Sequence, residues 1–298
     1  MKKQFTGAAA LLGTTIVWGS AFIAQSVGMD SIGPFTFQMF RCALAVLFLL
    51  PLSRVMDGKK GTAYWKRQWT DPVLWKSGLI CGVTLFAASS LQQIGLVYTD
   101  AGKAGFLTAM YIVFVPFLGF FVGQKPGRNA VLSLVPAVIG LYLLSCTGTS
   151  GINKGDLMLL GCAVCFSIQI LLIDRHSANL DGVRLNCVQS LVVTVLSIPF
   201  ALLTEDISLP AIWTAAPSIA YAGILSMGVA YTLQIFGQKR VAPTAAALLM
   251  SMESVFAALF GWLLLHETMT SLEGFGCVLV FAAVILSQLP EKKTSKVR

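Results

Sequence analysis

Ten apolar runs, each close to the ~20 residues needed to cross a hydrocarbon layer as a helix, leave this chain almost no way to fold in water. They fall at about 5–25, 34–52, 76–98, 102–123, 128–146, 155–173, 184–204, 214–236, 242–265 and 271–289. Short interruptions carrying turn residues separate them, among them Gly33-Pro34, Asp57-Gly58, Pro126-Gly127, Asp181-Gly182 and Ala242-Pro243. Charged residues make up only 11% of the 298, against roughly 25% in soluble domains, and the mean hydropathy is +0.78. That is too little charge to coat a soluble fold of this size. The expected class is an all-α integral membrane protein with ten transmembrane helices. The first run follows Lys2 and Lys3 but lacks a small-residue cleavage site, and it reads as a spanning helix rather than a removed signal.

The net charge of +8 reports topology, not nucleic-acid binding. With the N-terminus inside and ten crossings, every one of the 21 Lys and Arg residues falls on the cytoplasmic side except Lys103, Lys154 and Arg41. Such a bias is what membrane insertion imposes. It predicts a plasma (inner) membrane protein with both termini in the cytoplasm and a basic tail over 291–298. Tyr64, Trp65 and Trp69 among the cations of the 53–75 stretch suit a loop at the headgroup layer. The seven cysteines lie in or near apolar runs and read as small packing residues. Cys162 and Cys165 have no second pair to make a metal site.

An offset of 148 residues places Gly7 on Gly155, Gly13 on Gly161, Pro51 on Pro199, Gln38 on Asn186 and Arg41 on Gln189. Beyond the long second loop the offset falls to about 141, where Gln93-Ile94 meets Gln234-Ile235, and one residue later Tyr111 meets Glu253. Two copies of one five-helix unit follow, 1–146 and 151–290. Five crossings are odd, so the second copy must be inverted, a frequent build in secondary transporters with the site between the copies near mid-membrane.

These residues resemble the drug/metabolite transporter superfamily, specifically its EamA-type ten-helix family. The resemblance rests on Trp18-Gly19-Ser20-Ala21-Phe22, on Pro34 followed by Arg41, on Tyr98-Thr99 with Ala101, Ala104 and Pro116, and on the segment from Glu253 to Leu264-Leu265-His266-Glu267. It departs from the family pattern at Gly123-Gln124-Lys125 and at Ser254. The resemblance implies eight helices around a central cavity, with the fifth and tenth at the periphery. It also implies transport of small solutes such as amino acids, nucleosides, amines or drug-like compounds.

Charge inside a bilayer is costly and marks function or a buried partner. Arg41 lies about 11 Å from one end of its helix and Glu253 about 17 Å from the end of its own, by the helical rise, so both fall near mid-depth. Arg41 is expected to bind an anionic group, and Glu253 a cationic group or a coupling proton; a structural role in locking helices stays open for each. Gln38, Gln93, Asn186, Gln189 and Gln234 are amides within spans, placed to join helices or to line a polar path. Trp18 and Tyr111 complete the candidate substrate site, with Tyr98 and Lys103 at its outer mouth. The expected function is a secondary transporter, an exporter of small amphipathic metabolites such as amino acids, with small-molecule substrate and lipid as its partners. An uncoupled facilitator, a drug efflux protein, and outside transport a structural or sensory membrane protein or an intramembrane enzyme are the alternatives. No catalytic cluster, cofactor site, metal site or nucleoside-triphosphate loop is read from the sequence, so the chain is not expected to be an enzyme.

Overall fold

The computed structural model describes residues 2–99, 101–145, 153–264 and 269–289. Cys146, the His266-Glu267 pair and the 291–298 tail lie outside the described residues. The described residues form helices α1 (Lys2–Met29), α2 (Pro34–Asp57), α3 (Gly61–Trp69), α4 (Pro72–Tyr98), α5 (Ala101–Ala109), α6 (Tyr111–Phe121), α7 (Arg128–Ser145) and α8 (Lys154–Ser177). They continue with α9 (Gly182–Thr204), α10 (Leu209–Ala220), α11 (Tyr231–Gln238), α12 (Pro243–Met250), α13 (Met252–Leu264) and α14 (Ser271–Gln288). Nine stretches are long and apolar enough to cross a membrane, and Arg128–Leu144 is a shorter tenth. The protein is an all-α membrane protein.

Polarity is inverted relative to a soluble fold. Phe120, Phe121, Leu203 and Trp213 are among the most exposed residues, whereas Gln38, Gln93, Gln169, Asn186 and Gln189 are fully buried. Lipid solvates the first group; the second must find hydrogen bonds inside the bundle.

Three spans differ from simple rods. The fourth is broken at Met110 into α5 and α6, and the ninth at Ser251 into α12 and α13. These two breaks coincide under the 141-residue offset. The eighth runs from α10 into a π-helical stretch, Tyr221–Ala230, before resuming as α11. The widened turn frees backbone carbonyls, and the Asn186 side-chain nitrogen donates to two of them, Met227 O at 2.7 Å and Gly228 O at 3.1 Å. The 53–75 stretch, expected as a surface loop, carries the short helix α3, whose polar and aromatic residues alternate with helical spacing. Trp65 Nε1 donates to Ser53 Oγ at 2.9 Å, fastening α3 to the end of α2.

Packing between the halves is unchanged when they are exchanged. α1 lies on α10, the π-stretch and α11, as α8 lies on α4; α1 packs on α12 and α13, as α8 packs on α5 and α6; α2 meets α9, and α7 meets α14. Glycines set the closest crossings. A methyl group on Gly155 would lie 2.8 Å from the Gly95 carbonyl oxygen, and one on Gly237 2.9 Å from that of Gly7. These two crossings interconvert under the 148 and 142 offsets. On the pairing of α7 with α14, a methyl on Gly140 would sit 2.8 Å from Gly276 O. Gly140→Val is therefore expected to force this pair apart and lower stability by about 1–3 kcal/mol, seen as a lower midpoint in thermal unfolding of the purified protein.

Carboxylates, half-buried Glu205 and buried Asp57, hold the α2–α9 pair at both ends. Glu205, just past α9, accepts from Phe35 N at 2.7 Å and Thr36 N at 2.8 Å, where the first turn of α2 has free N–H groups. At the opposite end Asp57, the last residue of α2, pairs with Arg184 in the first turn of α9. Asp57 and Glu205 are equivalent under the 148 offset.

Candidate functional site

A cavity opens between the halves, walled by α1, α2, α4, α5, α6, α8, the π-stretch, α11, α12 and α13. Trp18, Arg41, Tyr111, Gln234 and Glu253 from the sequence-derived set all line it. Its wall also holds Phe22, Gln25, Gln92, Thr108, Ser226 and Tyr231.

The cavity is layered along the membrane normal. Toward the end where α2 begins lie Gln25, Arg41 and Gln92. Arg41 is 3% exposed. Its Nη1 donates to Gln25 Oε1 at 2.5 Å, and one terminal atom of the Gln93 carboxamide lies 2.5 Å from that oxygen and 3.3 Å from both Nη1 and Nη2 of Arg41. The guanidinium also lies 5.8 Å from the Phe37 ring centroid, and its Nε has no partner among the described residues. Gln25 and Gln93 thus occupy the two terminal nitrogens, and Nε is the part of the guanidinium left for a carboxylate oxygen.

At mid-depth Glu253 stands near the start of α13, just past the Ser251 break, and Tyr111 starts α6 just past the Met110 break. Tyr111 Oη donates to Glu253 Oε1 at 3.2 Å. The two helix breaks therefore deliver the two side chains that the repeat offset pairs. Trp18 packs on Tyr231 with ring centroids 4.9 Å apart, making an aromatic wall beside them, and Trp18 Nε1 is buried without a partner. Arg41 and Glu253 share the cavity but form no ion pair with each other among the described residues.

Toward the end where α11 stops lie Ile170, Gln234 and Met250 on the wall. The remaining amides stand behind the lining. Gln93 buttresses Gln25. Gln38 Nε2 lies 3.1 Å from Ser90 Oγ and 3.3 Å from Ser197 Oγ. Asn186 is spent on the π-stretch and accepts from Gln189 Nε2 at 2.9 Å.

Outside the cavity lining, near α5, Lys103 pairs with Asp156 at 2.6 Å. Asp156 also accepts from Thr99 Oγ1 at 3.1 Å, and Asn153 Nδ2 donates to Tyr98 O at 3.0 Å. Lys154 Nζ lies 3.8 Å from the Tyr98 ring centroid. Tyr98 and Lys103 thus belong to a polar closure joining α4 and α5 to the start of α8. Sequence reasoning did not single out Gln25, the residue that positions Arg41. A lone amide in the first apolar run, about two helical turns beyond Trp18, was the available signal.

The family model for EamA-like transporters matches residues 5–146 and again 153–289. An uncharacterized transporter of Archaeoglobus fulgidus is 32% identical over 92% of this chain and 83% of its own length. The threonine/homoserine exporter RhtA of Escherichia coli is 30% identical over 55% of this chain and 56% of its own length. A solved crystal structure 16% identical in sequence shares the fold with a TM-score of 0.78, covering 95% of this chain and 96% of that one. With two matches that together span nearly all of it, this chain belongs to the EamA-like transporter family.

Proposed function

We propose that this protein exports small zwitterionic metabolites of the amino-acid class across the plasma membrane by alternating access, with Glu253 as the proton-binding group. The observation that carries the reading is the placement of one guanidinium and one carboxyl on the wall of a single cavity between the halves, unpaired with each other. A zwitterion complements both: its carboxylate meets the open edge of Arg41, and its ammonium meets Glu253 beside the aromatic faces of Trp18 and Tyr231. The similarity to a threonine/homoserine exporter supports the same substrate class.

In the proposed cycle, repeats 1–146 and 151–290 rock about the site. The breaks at Met110 and Ser251 are the flexing points, because each lies beside a residue that touches the ligand. Proton binding at Glu253 competes with the substrate ammonium, which makes proton and substrate travel in opposite directions. The charge bias supports an orientation with both termini in the cytoplasm.

Purified protein in proteoliposomes, assayed with a labelled amino-acid panel under an imposed pH gradient, tests this. The expected result is uptake of at least one zwitterion, inhibited by others and accelerated by the gradient. Transport restricted to solutes lacking either a carboxylate or an amine overturns the substrate reading. Gradient-independent transport overturns the coupling and leaves a facilitator.

A further inference from the structure

The two copies of the repeat furnish the two ends of the cavity with different chemistry. At one end Gln25 and Gln93 hold Arg41. The repeat offsets carry Arg41 to Gln189, Gln25 to Ile173 and Gln93 to Gln234, so the opposite end has an amide where the first has its buttress, and no charge. Glu253, at mid-depth, is the only carboxylate on the cavity wall among the described residues.

Gln93 is fully spent in the Arg41 cluster, but Gln234 is not. It is 2% exposed and lies on the wall. Its Nε2 makes a 3.5 Å contact with Gln169 Oε1, at the outer limit of a hydrogen bond. Gln234 Oε1 and Gln169 Nε2 have no partner among the described residues. Turning both amides exchanges which atoms are bonded but still leaves one oxygen and one nitrogen unmatched, and turning only one sets like atoms against each other. An unmet buried polar group costs about 1–3 kcal/mol, and one that borders a ligand cavity is a ligand contact held in readiness.

We propose that Gln234, backed by Gln169, is the subsite that reads the substrate's side chain, and that it selects an uncharged hydrogen-bonding group, a hydroxyl or carboxamide. This rests on the zwitterion reading above. It fixes one orientation in the cavity: carboxylate toward Arg41, ammonium at Glu253, side chain toward the end of α11. A charged side chain is refused there because no counter-charge lines that end. An apolar one is disfavoured because it leaves the Gln234 oxygen unmatched, and sites built around a hydrogen bond reject analogues that lack it far more strongly than apolar pockets reject small changes of size.

The test is competition in proteoliposomes between near-isosteres, threonine against valine and asparagine against leucine, with wild type and Gln234→Met. In wild type the polar member of each pair is expected to compete at a concentration at least about tenfold lower, the effect of one such bond. In Gln234→Met the ratio is expected to fall toward one, mainly through weaker binding of the polar member. Equal competition within both pairs in wild type overturns the proposal without any variant, as does an unchanged preference in Gln234→Met. If no amino acid competes in either protein, the zwitterion reading itself fails, and this subsite with it; if amino acids compete without discrimination, only the subsite fails.

Discussion

Glu253→Gln is expected to abolish proton-driven accumulation while leaving the protein folded and able to exchange substrate down its gradient. The substitution is nearly isosteric, and the amide oxygen still accepts the Tyr111 hydroxyl that bonds Glu253 Oε1 at 3.2 Å. What disappears is the site that exchanges a proton and, with it, the charge that faces the substrate ammonium, so exchange should persist with a raised KM. One pH unit corresponds to about 1.4 kcal/mol, or about tenfold in a concentration ratio. With one proton exchanged per substrate, wild type should therefore accumulate substrate on the acidic side by about tenfold per pH unit of gradient. In Glu253→Gln that ratio should fall to about one, while counterflow between labelled and unlabelled substrate persists. If the variant still accumulates substrate as wild type does, the coupling proton binds elsewhere.

The position of Glu253 was legible in the sequence because a carboxyl among apolar residues stands out, and so was the offset that sets it opposite Tyr111. The ten spans were legible for the same reason: hydropathy reports what lipid demands. Their interruptions were not. Neither Met110 nor Ser251 is itself a helix breaker, and the β-branched and aromatic run from Tyr111 to Pro116 is too diffuse a signal to place a break at Met110. The π-stretch was hidden likewise, because its stabilising donor, Asn186, comes from a different helix. Among the amides, sequence could name the polar residues but not rank them. Gln234 reaches the cavity wall, whereas Gln38, Asn186 and Gln189 stand behind it, and which face of a helix meets the cavity is set by packing. Asp57 reads as a turn residue and Glu205 carries no signal of its own, although the two are related by the offset already used for Gly7 and Gly155. The repeat carried that information; the weakness of any single match concealed it.

Arg41→Met should separate the binding role of this residue from a structural one, because the two roles move stability in opposite directions. Arg41 is 3% exposed and forms no ion pair among the described residues. Its partners are the neutral Gln25 and the Phe37 ring. A buried cation with only neutral partners is a cost to the fold, since apolar replacements of buried charge are often neutral or stabilising. Met fits the same length of channel with a flexible apolar chain, and Gln25 Oε1 keeps its bond from Gln93. The thermal midpoint of unliganded Arg41→Met is therefore expected to equal or exceed that of wild type. Binding should suffer instead. Losing one partner of a desolvated charged pair costs about 2–5 kcal/mol, which corresponds to roughly 30- to 4,000-fold in affinity for a carboxylate-bearing substrate. Arg41→Lys restores the charge but not the side-on fork and should recover only part of it. Ligand-induced stabilisation, which follows the affinity of the folded state, reads both effects in one experiment. A marked fall in the unliganded midpoint, with substrate stabilisation preserved, would make Arg41 a helix lock and remove the anion site from the transport mechanism.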